Sequence, residues 1–129
     1  MIRGTTAQFK FNLPCTKEEL AWVTIKFWQE NNMNPYLPIT KKLEHCDSPD
    51  DSTELYVSLT ADETIRFSEK RKAKTQLRAQ HSSSGTLFGN REQLITVYPM
   101  NDDILEEDPT MPEENKDGWI ILDGETIVD

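Results

Sequence analysis

Side chains able to do chemistry are few in this chain of 129 residues, which holds two histidines, two cysteines and five glycines. His45-Cys46-Asp47 sets three metal-ligand types side by side. Adjacent residues on a strand point to opposite faces, so these three would not converge on one ion. His81-Ser82-Ser83-Ser84-Gly85 puts hydroxyls beside an imidazole. Without a Gly-x-Ser-x-Gly elbow, a serine tract ending in glycine has the composition of a hairpin loop. Cys15 and Cys46 show no CxxC spacing. They read as free, buried thiols, and a Cys15–Cys46 bridge stays open until the Cα separation is known. The glycines form no phosphate-cradling pattern. The densest set of ligand atoms is Asp102, Asp103, Glu106, Glu107 and Asp108, hard oxygens of the kind Ca²⁺ takes. EF-hand spacing is absent there, and a charge run is usually a solvated segment. The expectation is a protein with no catalytic residue, no metal and no cofactor, and not an enzyme.

What remains is the chemistry of contact. Trp22 and Trp28 lie six residues apart on one face of a β-rich run, a span of about 20 Å. They fit a core or a protein contact. If exposed, together with Trp119 they would suit a sugar-binding platform. The net charge of −9 argues against nucleic acid and against anionic membranes as partners. That charge is unevenly placed. Arg66, Lys70, Arg71, Lys72, Lys74 and Arg78 are opposed only by Glu69, whereas Met100 to Gly118 is acidic and opposed only by Lys116. The two segments are complementary, so either an intrachain contact or a contact between copies would use them.

The elements that must position these groups are mostly strands. Ala7, Phe9, Phe11 and Leu13 alternate with Gln8, Lys10 and Asn12, the period of a half-buried strand. That strand begins close to residue 1, with no signal-peptide pattern before it, and no apolar run approaches the ~20 residues of a membrane helix. Thr16-x-x-Glu19 predicts a capped helical turn. Ala21 to Gln29 predicts a central strand with Val23, Ile25 and Phe27 on one face. Tyr36 to Leu43 is a weaker strand, restricted to an edge or bulge by Pro38. Leu55, Val57 and Leu59 mark the inward face of another. Thr60-x-x-Glu63 predicts a short helix over 60–67, packed by Ile65 and Phe67 over one end of the core. Ala73, Thr75, Leu77 and Ala79 mark the next strand, Leu87-Phe88 a cover for the core, and Arg91 to Tyr98 a further strand. Trp119-Ile120-Ile121-Leu122, Asp123-Gly124 and Glu125 to Val128 read as a hairpin. Together these predict an all-β, antiparallel, immunoglobulin-like β-sandwich over 1–99, an acidic linker over 100–118 and a C-terminal β-hairpin over 119–129.

One resemblance accompanies this pattern. Met1-Ile2-Arg3-Gly4-Thr5-Thr6 followed by Phe9-x-Phe11-x-Leu13-Pro14, then Trp22 to Phe27, Leu55 to Thr60, Asp62-Glu63-Thr64-Ile65-x-Phe67, Lys74 to Ala79 and Gly85 to Gly89, resembles short tail-associated proteins encoded in prophages and tailed phages of Gram-positive bacteria. The same stretches look like the N-terminal domain of phage baseplate upper proteins. Ala7 stands where that family usually has proline, and residues 100–129 lie beyond the resemblance. It implies a β-sandwich fold, a structural role in a tail or baseplate, other tail proteins or a second copy as partners, synthesis in the bacterial cytoplasm and residence in the virion tail. It implies no catalytic residue.

Overall fold

The computed structural model describes residues 1–99 in full, together with the backbone of Trp119–Leu122 and Thr126–Val128. The elements, in order, are β1 (Ala7–Asn12), a 3-10 turn (Lys17–Glu19), β2 (Leu20–Trp28), β3 (Ile39–Lys42), a second 3-10 turn (Leu43–His45), β4 (Glu54–Leu59), α1 (Ala61–Thr64), β5 (Ala73–His81), β6 (Leu87–Asn90), β7 (Gln93–Ile95), β8 (Trp119–Leu122) and β9 (Thr126–Val128). The protein is all-β, with few helical turns. A three-stranded sheet has the order β4-β1-β8, and a six-stranded sheet runs β3-β2-β5-β6-β9 with β7 also pairing β5. Among the described residues every strand pairing is antiparallel except β1 with β8.

The two sheets share one core because each central strand alternates. Ala7, Phe9 and Phe11 of β1 and Leu55, Val57 and Leu59 of β4 are buried from one sheet, and Val23, Ile25, Phe27, Leu77 and Ala79 from the other. The Phe9 and Phe27 rings meet with centroids 4.9 Å apart. In β2 the register slips between Leu20 and Trp22. This bulge adds one residue and inverts the parity of the strand beyond it. Leu20 and Val23 therefore both reach the core, while Trp22, Thr24, Lys26 and Trp28 share the outer face.

Several expected elements are shorter or differently placed. β3 covers only Ile39–Lys42 and forms an edge, after the cis Leu37–Pro38 bond. The helix expected over 60–67 closes as α1 at Thr64. Its capping box is complete: Thr60 N donates to Glu63 Oε1 at 2.9 Å, and Glu63 N donates to Thr60 Oγ1 at 3.2 Å. Beyond Thr64 the chain tightens into i→i+3 bonds, Arg66 N donating to Glu63 O and Phe67 N to Thr64 O, each at 3.2 Å, and Arg3 caps the carbonyls left over at this end. Arg3 Nη2 donates to Ile65 O at 3.0 Å and Arg3 Nε donates to Phe67 O. Thr64, fully buried, donates to Thr5 O at 2.7 Å and accepts from Gly4 N at 3.0 Å. Thr64 and Phe67 thus anchor this corner, and Ile65, expected to pack, is exposed. Leu87-Phe88 begins a strand, β6. Its Gly89 lies so close to β5 that a Cβ would stand 2.7 Å from Leu77 O. The strand expected over 91–98 reduces to β7 and an isolated bridge between Ile2 and Tyr98.

The C-terminal hairpin is the main correction. β8 lies beside β1 in the small sheet, and β9 pairs with β6 in the large one. The two runs belong to different sheets and are not partners of each other. The physical reason is that β1 and β6 each present a row of backbone N–H and C=O groups on one side, and each row takes one strand. The acidic segment 100–118 lies outside the described residues.

Candidate functional site

The basic segment divides into two surfaces. Arg66, Lys70, Arg71 and Lys72 sit in the turn region between α1 and β5, at one end of the molecule. Lys74 and Arg78 belong to β5 and share its outer face with Gln76 and Gln80, because the strand alternates. Lys74 is committed to an ion pair, with Nζ 2.6 Å from Glu30 Oε1. Donation to Glu30 Oε1 holds the Lys74 ammonium above its ordinary range and, reciprocally, the Glu30 carboxyl below its own.

The turn carrying Lys70 to Lys72 is held by a residue that the sequence pattern passes over. Gln29, at the end of β2, is buried. Its Nε2 donates to Ser68 O and to Arg71 O, both at 2.7 Å. Its Oε1 accepts from Ser68 N at 2.8 Å and from Asn32 Nδ2 at 2.6 Å. One amide therefore uses both its donors and both its acceptor positions. It fixes the β2–β3 loop to the turn before β5. Asn32 Nδ2 adds a bond to Arg66 O at 3.1 Å. Arg66 lies over the Tyr36 ring, 5.5 Å from its centroid. Around this frame Met33 is 92% and Tyr36 70% exposed. Among the described residues, Lys70, Arg71 and Lys72 have no carboxylate within ion-pair distance. The result is a preorganised end of the molecule that is both cationic and apolar.

The second surface is a groove of about 520 Å³ on the outer face of the large sheet. Thr24, Lys26 and Trp28 of β2 lie along it opposite Gln76 and Arg78 of β5, and Leu37-Pro38 forms a lip. Trp22 continues the same face beyond Thr24. It is 39% exposed and donates Nε1 to Gln80 Oε1 at 3.0 Å. Trp28 is half-buried. Neither indole belongs to the core.

The remaining sequence candidates fall elsewhere. Cys15 and Cys46 are free and buried. Burial pushes the Cys46 thiol up to about 11, and Sγ donates to Lys42 O at 3.4 Å. His45 and Asp47 on either side of Cys46 are exposed, and His45 Nδ1 accepts from Lys42 N at 2.9 Å. Among the described residues no three His, Cys, Asp or Glu side chains gather as metal ligands. Asp102, Asp103, Glu106 and Glu107 lie outside the described residues, and of Trp119 only the backbone, in β8, is described.

The serine tract gains a partner that its sequence neighbours do not supply. His81 Nε2 lies 3.2 Å from Glu19 Oε2, and His81 Nδ1 lies 3.1 Å from Ser83 Oγ. Nδ1 also accepts from Ser83 N and Ser84 N, each at 3.3 Å. A Ser-His-Glu order is present, but the lone pair that a general base would offer is shared among three donors of its own loop. This is a loop closure, supported by Ser82 N donating to Glu19 O at 2.8 Å. The Glu19 carboxyl is held below its ordinary range, first by the Thr16 backbone N–H and then by His81.

Among the described residues no helix is long and apolar enough to cross a membrane. No family model, no curated protein and no solved structure matches this chain.

Proposed function

We propose that the protein is a non-catalytic, immunoglobulin-like β-sandwich that works through protein contacts as a structural or accessory component of a phage or prophage tail or baseplate. The observation that carries the contact role is the Gln29-braced end of the molecule. Met33, Tyr36 and Arg66, carried on a braced frame, match the residue types enriched at interface centres, and the cations Lys70, Arg71 and Lys72 flank them as a charged rim. The tail or baseplate setting rests on the resemblance of residues 1–99. The partner is another tail protein or a second copy, and the acidic run of residues 102–117 on a neighbouring chain is complementary in charge. Edge strands β8 and β9 offer a further route, by adding to a neighbour's sheet.

The test is solution mass by light scattering at low and high salt, for the full chain and for the variant Lys70→Glu, Arg71→Glu, Lys72→Glu. Salt-sensitive association that the variant abolishes is the expected result. A monomer at every concentration and salt, unchanged by the variant, removes self-assembly through this end. One observation favours a second reading, a carbohydrate-binding module: the indoles of Trp22 and Trp28 stand on an outer face, where a sugar ring can reach them.

A further inference from the structure

We infer that the groove on the outer face of β2 and β5 binds an acidic oligosaccharide. The inference rests on the carbohydrate reading and specifies its ligand and site. The face is a short lattice. The β2–β5 register sets Trp22 against Gln80, Thr24 against Arg78, Lys26 against Gln76 and Trp28 against Lys74. Two indoles therefore bracket a polar, cationic strip about 20 Å long, a length that spans several sugar rings. Indoles offer flat apolar surface to the C–H faces of pyranose rings.

The strip between them decides the charge of the ligand. Among the described residues no carboxylate lines the groove, although the chain as a whole carries −9. Lys26 is exposed and has no carboxylate within ion-pair distance among the described residues. An uncompensated lysine in a walled groove favours an anion there, more strongly at low salt.

The polar groups favour a polyol over other polyanions. Gln76 spends an amide N–H on Asn90 O at 3.0 Å, which leaves its carbonyl oxygen as an acceptor. Thr24 Oγ1 receives Lys42 Nζ at 3.3 Å and keeps its own O–H to donate. A sugar hydroxyl both donates and accepts, so it can satisfy the two together. Phosphodiester and carboxylate oxygens only accept.

The experiment is calorimetric titration of the full chain with an octamer of galacturonate, beside maltooctaose, octaglutamate and the oligonucleotide dT8, with the indole N–H signals of Trp22 and Trp28 followed by NMR. The expected result is binding of octagalacturonate that shifts both indole signals and weakens at least tenfold from 50 to 500 mM salt. Lys26→Glu is expected to weaken it about tenfold, with an unchanged melting temperature. Lys70→Glu, on the other surface, is expected to leave it unaltered. Equal or tighter binding of maltooctaose, octaglutamate or dT8 overturns the assignment, as does no binding or indifference to Lys26→Glu. A Lys70→Glu effect as large as that of Lys26→Glu also overturns it. The contact role proposed for the Lys70–Lys72 end is read by light scattering, so either can fail alone.

Discussion

Gln29→Met replaces a buried amide with an apolar side chain of similar length. It strands three groups at once, Ser68 N–H, Ser68 C=O and Arg71 C=O, and removes one of two Asn32 Nδ2 bonds, the one to Arg66 O remaining. A hydrogen bond is worth about 1 kcal/mol net, and a buried group left unsatisfied costs about 1–3 kcal/mol. Ser68 and Asn32 are only half-buried and Arg71 is exposed, so water can reach part of what is lost. The expected loss is therefore about 2–4 kcal/mol, at or below the lower end of the roughly 3–9 kcal/mol that three fully buried orphans would give. Urea denaturation monitored by fluorescence measures it. Amide exchange locates it, since Ser68 N–H is protected by Gln29 Oε1 and should exchange far faster in the variant. Gln29→Glu sharpens the test. A carboxylate keeps the two acceptors, loses both donors and faces the carbonyls of Ser68 and Arg71. It should destabilise at least as much at pH 7 and partly recover as the pH falls and the carboxyl gains a proton. A loss below about 1 kcal/mol for Gln29→Met, with Ser68 exchange unchanged, would refute the bracing role and with it the preorganised cationic end.

Thr75 is fully buried on β5, and its Oγ1 has no hydrogen-bond partner among the described residues. Thr75→Val keeps the shape, removes the orphan hydroxyl and should stabilise by about 1–2 kcal/mol, seen as a raised melting temperature. Phe9→Ala empties the contact with Phe27 between the sheets and should cost about 3–5 kcal/mol in the same denaturation assay. Cys46 gives a pH signature. Its folded thiol titrates at about 11 against an ordinary value of 9.0. The unfolded chain therefore loses its proton first, and stability contributed by the neutral thiol falls as the pH rises from about 9 to 11. The slope should become shallower in Cys46→Val, the Cys15 thiol, also raised by burial, keeping part of it, and Cys46 should resist alkylation at pH 8 until urea is added.

The strands were legible where one face alone meets the core. In β1, β4 and β5 small or apolar residues fall on every second position, and burial tracks them one for one. β2 was legible from Val23 onward, but its start was not, because the bulge at Ala21 comes from its pairing with β5. β6 was hidden for a related reason. Leu87-Phe88-Gly89-Asn90 is too short and mixed to show a period, and its glycine is required by the backbone of Leu77 in the next strand. The end of α1 was also illegible, since the tightened turn after Thr64 is held by Arg3, some sixty residues earlier, which caps Ile65 O and Phe67 O. Asp123-Gly124 states that the chain turns. Which sheet each flanking run joins depends on the open edges of β1 and β6, far away in sequence.

The charge pattern shows how local and long-range information combine. From the sequence, Arg66 to Arg78 is a single basic segment facing one acidic segment. The fold cuts it at Ala73, where β5 begins. Before that point Gln29 fixes a turn, and its three cations project beside the exposed side chains Met33 and Tyr36. After it, alternation places Lys74 and Arg78 on a sheet face, Lys74 opposite Trp28 and Arg78 between the two indoles with Lys26. A protein contact and a sugar groove need different neighbours for the same positive charge: exposed apolar side chains in one case, flat rings and hydroxyls in the other. The first half of the segment lies beside exposed apolar side chains, whereas Arg78, with Lys26, lies on the face that carries the rings. A charge reversal at Lys70 and one at Lys26 should therefore have separable consequences, although each removes one cation from the surface of an acidic chain.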